Sequence, residues 1–192
     1  SVSGLGSEDM ATAAVREALP ALLQRLGARS LLDAPCGDAG WIGRIKLDID
    51  YIGIDIVPSL VEANNKRVAD GELAGRFLVA DLTRDALPRA DLILCRDCLV
   101  HLSFQNIARV TARFRESGAQ FLLVTTFPEI EDNRDCEDGD WRALNMTKAP
   151  FDWPAPRELI DERCEEGDGG WRDKSLGLWR LDELPDPDRT GV

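Results

Sequence analysis

Three short apolar runs in this chain each close on an aspartate: Ser30-Leu31-Leu32-Asp33, Tyr51-Ile52-Gly53-Ile54-Asp55 and Phe77-Leu78-Val79-Ala80-Asp81. Runs of this length bounded by turn signals read as buried strands, and strands apolar on both faces belong to a parallel sheet covered by helices on both sides. Two further runs, Ala90–Cys95 and Phe121–Thr126, have the same character. Between them lie helical patterns. Val15, Leu19, Leu22, Leu23 and Leu26 recur at helical spacing after a start at Ser7-Glu8-Asp9, and Gly27 ends the element. Pro20 inside this pattern predicts a kink or two short helices. Trp41 to Ile45 is expected to begin a helix. Pro58 suits the first turn of another, running to about Val68. A third starts near His101 or Ser103 and carries Ile107, Val110 and Phe114 on one face. Glu158–Asp161 and Ser175–Leu181 read as two last strands, with the glycine-rich segment 166–170 between them as an antiparallel turn. The tail from Pro185 to Val192 is expected to fray. The fold class is therefore α/β: a doubly wound seven-stranded sheet, mostly parallel, with one antiparallel strand near the C-terminus.

A chain of 192 residues supports one core, and the expected organisation is a single domain over 1–192. Residues 1–27 form its N-terminal helical segment. Residues 128–157 form a long loop rich in Asp, Pro and Trp. The formal charge of −12 repels phosphate backbones, and no cluster of Lys and Arg offsets it, so nucleic acid is not an expected partner. No stretch is apolar for the length of a membrane span, and Ser1–Ser7 lacks the basic flank and apolar run of a signal peptide. The five cysteines (Cys36, Cys95, Cys98, Cys136 and Cys164) are odd in number and irregularly spaced. That fits a reducing cytoplasm better than a disulfide framework. Cys95-Arg96-Asp97-Cys98 has redox-type spacing but no second feature to support that chemistry. Zinc would need further ligands, so no metal is expected.

In an open parallel sheet, ligands bind beyond the carboxyl ends of the strands. Asp33, Asp55 and Asp81 should then border one crevice. Asp55 follows Asp33 by 22 residues, the spacing of an acid that accepts both hydroxyls of a ribose. Asp81 could accept from an adenine amino group, with Ile56 and Leu82 as apolar walls. The turn Pro35-Cys36-Gly37-Asp38-Ala39-Gly40 lets a ligand approach the backbone. A dinucleotide would require Gly-x-Gly-x-x-Gly and a helix start facing its pyrophosphate. Asp38 puts negative charge there instead, which suits a cationic sulfonium. S-adenosylmethionine is thus favoured over NAD.

Leu32-Asp33-Ala34-Pro35-Cys36-Gly37-Asp38 resembles the first motif of class I S-adenosylmethionine-dependent methyltransferases. Gly53-Ile54-Asp55-Ile56 resembles their second and Ala80-Asp81-Leu82 their third. Asp91–Asp97 with Leu99-Val100-His101-Leu102 resembles the fourth and the helix after it. The likeness covers about residues 28–126. The whole chain also resembles a group of small bacterial methyltransferase-domain proteins with a Pro-Cys-Gly-Asp turn and a Cys-Arg-Asp motif. The resemblance implies a Rossmann-like fold. It places Asp33 and Gly37 beside the methionine moiety, Asp55 beside the ribose, Asp81 and Leu82 beside adenine, and Cys95 and Arg96 on the sulfonium side. Pro35, Asp38, Trp41 and Ile56 complete the expected cofactor shell. The wider family carries glycine where this chain has Pro35 and Ala39.

Methyl transfer is an in-line displacement, so the protein mainly aligns the reactants and excludes water. A base is needed only where the acceptor must lose a proton. Asp97 and His101 are the catalytic candidates. The alternative is that both serve the start of the following helix. Residues 128–157 form the expected acceptor-side lid, with Asn133, Trp141 and Arg142 as substrate contacts beside Phe151 and Trp153. Equally, the tryptophans could simply anchor the loop. The glycine-rich N-terminus through Ser7 could fold over the cofactor. The expected function is methyl transfer to oxygen or nitrogen of a small-molecule acceptor. The alternatives are a non-catalytic S-adenosylmethionine-binding module or partner subunit, and a nicotinamide-dependent oxidoreductase.

Overall fold

The structure is a computed structural model and describes residues 10–186. The expected helix start at Ser7, the glycine-rich segment through Ser7 and most of the expected frayed tail lie outside those residues. The seven strands are β1 (Ser30–Asp33), β2 (Asp50–Asp55), β3 (Arg76–Val79), β4 (Leu92–Cys95), β5 (Phe121–Thr126), β6 (Glu158–Asp161) and β7 (Ser175–Arg180). They form one sheet in the order β3-β2-β1-β4-β5-β7-β6. The pairs from β3 to β5 are parallel, while β7 runs antiparallel to both β5 and β6. The topology is thus the expected doubly wound sheet with β7 as the one reversed strand. The switch point lies between β1 and β4, where the winding changes direction.

Pleating sends alternate residues to opposite faces. Leu31, Leu92, Leu94 and Leu123 pack on one side with Val15, Leu19, Leu22 and Leu23 of helix α1 (Ala13–Leu26). Leu32, Ile52, Ile54, Ile93, Leu122 and Val124 pack on the other with Ile107, Val110 and Phe114. These last belong to α3 (Phe104–Glu116), which Ser103 caps through its hydroxyl. Each leucine buried this way stabilises the fold by roughly 2 kcal/mol. Helix α2 (Pro58–Ala69) opens on Pro58 as expected and buries only Val61 and Asn64. Helix α1 runs as one helix through Pro20, not two, and ends at Gly27 with φ +63°. Its apolar stripe outweighs the one backbone bond that Pro20 cannot donate. The helix expected over Trp41–Ile45 is only a 3-10 turn, Ile42–Arg44. Beyond it Ile45, Leu47 and Ile49 alternate with charged residues, a period of two that keeps the chain extended toward β2. The β3–β4 connection carries no helix either. No helix among the described residues is long and apolar enough to cross a membrane.

Candidate active site

A cavity of about 490 Å³ opens at the carboxyl ends of β1, β2 and β4, within the usual range for small-ligand pockets. Its lining includes Asp33, Pro35, Gly37, Trp41, Asp55, Arg96, Asp97, His101 and Trp141, nine of the residues anticipated from sequence. Asp38, Ile56, Asp81, Leu82, Cys95, Asn133 and Arg142 are not in that lining.

The turn after β1 is held from two sides. Asp55, at the end of β2, accepts the Gly37 amide at 3.0 Å on one oxygen and the Val57 amide at 2.9 Å on the other. Helix α2 reaches over with Asn64, whose Nδ2 donates to the Gly37 carbonyl at 2.8 Å, and Arg67, which donates to the Asp38 carbonyl at 2.7 Å. Asp38 itself does not face the cavity; its Oδ1 accepts the Gly40 amide at 2.9 Å. The Ala39 amide is bonded to the Cys36 carbonyl. The amides of Gly37, Ala39 and Gly40 are therefore committed inside the protein, and no α-helix starts behind them. A pyrophosphate needs those amides and that helix start. Each oxygen of the Asp55 carboxylate still has acceptor capacity beyond its one amide, which is what a ribose diol requires. Ala39 sits at φ +48°, the region favoured by glycine, which accounts for the glycine that the resembling family carries there. Its methyl group is fully buried.

Asp33 is fully buried, and its carboxylate accepts the Tyr51 hydroxyl at 2.7 Å. Burial pushes its pKa up to about 7, against the pull of the Tyr51 hydrogen bond and the Arg96 charge. Ile56 and Val57 are 58% and 41% exposed, an apolar step beside Asp55. Asp81 stands two residues past the end of β3, which stops at Val79. Its Oδ1 accepts from the amide and hydroxyl of Thr83, bonds that hold its pKa below the usual carboxylate value. Leu82 packs against the core beneath α3. Cys95 is completely buried beside Cys98, and its thiol is pushed well above its ordinary range.

A buried ionic network, which sequence reasoning missed, crosses from β4 to the β6–β7 hairpin. Arg96 binds Glu162 at 2.6 Å and approaches Asp97 at 3.3 Å; Lys174 binds Asp97 at 2.8 Å and lies 3.7 Å from Glu162. Asp97 has φ +52° and donates its amide to Thr125 Oγ1 at 2.8 Å, which presents its carboxylate to the cavity. Burial raises the pKa of Asp97, but Arg96 and Lys174 outweigh that and hold it below the ordinary value. A carboxylate so compensated is a weak proton acceptor. His101 is different. Its Nδ1 lies 3.0 Å from the Asp140 carbonyl. A carbonyl only accepts, so Nδ1 carries the proton and Nε2 is left as the basic atom of the neutral ring.

The loop 127–157 is pinned rather than loose. Asn133 donates to the carbonyls of Asn145 and Ala149, and Asn145 donates to those of Pro128 and Ile130. Arg142 donates to the Leu99 and Leu102 carbonyls. Asn133 thus serves the loop's own backbone, Arg142 ties the loop to the turn before α3, and neither reaches the cavity. Phe151 and Trp153 are buried in the core on the α3 side. Only Trp141 and, at the base of the loop, Phe127 face the cavity, joined by Cys36, Val57, Leu60, Glu166, Trp171 and Lys174. None of these eight except Trp141 was anticipated as a site residue. The signal for Glu162 was present, since Leu159-Ile160-Asp161-Glu162 is another apolar run that closes on acids.

Comparison with known proteins fits this geometry. Residues 31–117 match the family profile described as "Methyltransferase domain". No curated protein matches the chain by sequence. Among solved structures, the chain is similar to the methyltransferase domain of bacterial CtHen1-C, at 15% identity and TM-score 0.53, covering 62% of this chain and 66% of that one. It is similar to a putative sarcosine dimethylglycine methyltransferase from Galdieria sulphuraria, at 16% identity and TM-score 0.51, covering 60% and 46%. It is also similar to the pyocyanin biosynthetic protein PhzM, at 16% identity and TM-score 0.63, covering 88% and 55%. The chain spans about half to two thirds of the length of these structures. Residues 31–117 thus match a methyltransferase domain, and the cofactor that such a match implies is S-adenosylmethionine. The cavity fits that group: its excess of carboxylates suits a cation, and its turn amides are closed to a pyrophosphate.

Proposed function

We propose that this chain transfers a methyl group from S-adenosylmethionine to oxygen or nitrogen of a small-molecule acceptor. The observation that carries the reading is the closed cofactor turn: Asp55 and Asp38 consume the amides a dinucleotide would use, while Asp33 and Asp55 leave carboxylate capacity facing the cavity. When bound, the cofactor supplies a methyl carbon activated by its sulfonium. The chain's own residues then have three tasks. Asp55 holds the ribose hydroxyls, with Ile56 and Val57 as the apolar step for the base. Asp33 faces the positive end of the methionine moiety beside Gly37, Pro35 and Trp41. His101 takes the acceptor's proton on Nε2, and the hydrogen bond from Nδ1 to Asp140 fixes the ring for that role. Asp97, pinned between Arg96 and Lys174, orients the acceptor as an anion and keeps its charge throughout.

Calorimetry with S-adenosylmethionine, S-adenosylhomocysteine and NAD tests the cofactor. Both adenosyl compounds should bind and NAD should not. Folded protein that binds neither adenosyl compound would refute the reading. Methyl incorporation into a panel of sugars, phenols, amines and peptides then separates an enzyme from a module that only binds the cofactor.

A further inference from the structure

The wall of the cavity beyond Asp97 and His101 is aromatic. Phe127, Trp141 and Trp171 meet there with ring centroids 4.7–6.1 Å apart and planes inclined at 66–88° to one another. Phe127 is buried and fixes the corner, whereas Trp141 remains 44% exposed. Glu166 lines the cavity beside them. Two features bear on what this corner accepts. Steeply inclined rings leave no parallel slot for a flat ring to enter, but they let a compact rounded group touch more than one π face. The electrostatics are also one-sided. The lining carries the carboxyls of Asp33, Asp55, Asp97 and Glu166 against Arg96 and Lys174, and both of those cations are already bonded to carboxylates. Aromatic faces with nearby carboxylates are the surroundings that stabilise a desolvated ammonium ion.

We infer that this corner selects an alkylammonium acceptor, so that the methyl group goes to nitrogen; the inference rests on the methyltransferase reading above. The acceptor enters as a protonated secondary amine. It gives its proton to His101 Nε2, and the freed nitrogen lone pair forms the new N–C bond. The C–S bond breaks with its electron pair passing to sulfur, leaving a protonated tertiary amine and a neutral thioether. His101 returns the proton to solvent.

The test uses choline as a quaternary ammonium probe and 3,3-dimethylbutan-1-ol as its neutral isostere, with binding followed by tryptophan fluorescence. Choline should bind the wild-type protein at least tenfold tighter than the alcohol, and Trp141→Ala should reduce that preference to within about twofold. Glu166→Gln should weaken choline severalfold and leave the alcohol unchanged. Equal binding of the two probes by wild type overturns the inference, as does a preference that survives Trp141→Ala in protein of unchanged circular dichroism. Tighter binding of catechol than of choline overturns it too, in favour of a planar acceptor. Failure of S-adenosylmethionine to bind wild type would instead reject the methyltransferase reading and is read separately, by calorimetry.

Discussion

Asp55 joins two turns and, on the proposed reading, a ribose. Asp55→Ala should weaken S-adenosylmethionine by at least tenfold in calorimetry, since two backbone amides lose their acceptor together with the diol. Asp33 gives a pH signature. Its pKa near 7 lies above the ordinary 3.8, so the folded state holds the proton through the interval between them. The stability it contributes is complete below about pH 3.8 and is lost as pH rises through 7. A cationic ligand favours the ionised carboxylate, so affinity should rise with pH across neutrality and binding should release protons. Calorimetry in buffers of different ionisation enthalpy measures that release, and Asp33→Asn should abolish it. His101→Gln should lower kcat about a hundredfold or more, the usual worth of a positioned base, while S-adenosylmethionine still binds. An undiminished kcat would return His101 to a purely structural role. At this scale the sequence was informative about Asp33 and Asp55, because acids at strand ends in a parallel sheet converge, and His101 reaches the same cavity from the turn Leu99–His101 that follows β4. It assigned no site role to Trp171 or Lys174, which reach the same cavity from a hairpin more than seventy residues past β4.

Strands and helices differ in how legible they were. β1 and β5 match the residues anticipated because a continuous apolar run has little choice but a buried strand. The helix expected after β1 was misread because Trp41 and Ile42 are apolar for burial, not for helical period. Asp81 was read as the end of β3, but its amide bonds the Asp85 carboxylate and the chain has already turned. One glycine is compelled by packing: a Cβ on Gly53 in β2 would stand 2.6 Å from the Phe77 ring and 2.9 Å from Cys36 Sγ. Gly53→Ala should therefore destabilise the fold by about 1–3 kcal/mol in chemical denaturation, the usual cost of overpacking. The loop 127–157 offered no periodicity to read, since its order comes from asparagine side chains bonding backbone carbonyls.

Across the molecule, the network of Arg96, Asp97, Glu162 and Lys174 ties the parallel half of the sheet to the β6–β7 hairpin. The Arg96 and Glu162 side chains are 5% and 1% exposed. Removing one charge leaves the others buried without balance. Glu162→Gln should accordingly lower stability by about 3–5 kcal/mol in denaturant titration, far more than the loss of a surface pair such as Arg25–Glu158. The global topology was readable because the order of apolar runs and turns admits few arrangements. The network was not, because pairing of charges distant in sequence depends on which strands become neighbours.

The Nδ1 bond of His101 ends on a carbonyl of the loop whose Trp141 helps to line the cavity. Exchanging that loop for another, as a designer seeking a new substrate would do, also decides which imidazole nitrogen is left bare. On the proposed reading, substrate choice and proton chemistry are inherited together, and a graft that preserves the tryptophan but loses the Asp140 carbonyl should bind its new acceptor and turn it over poorly.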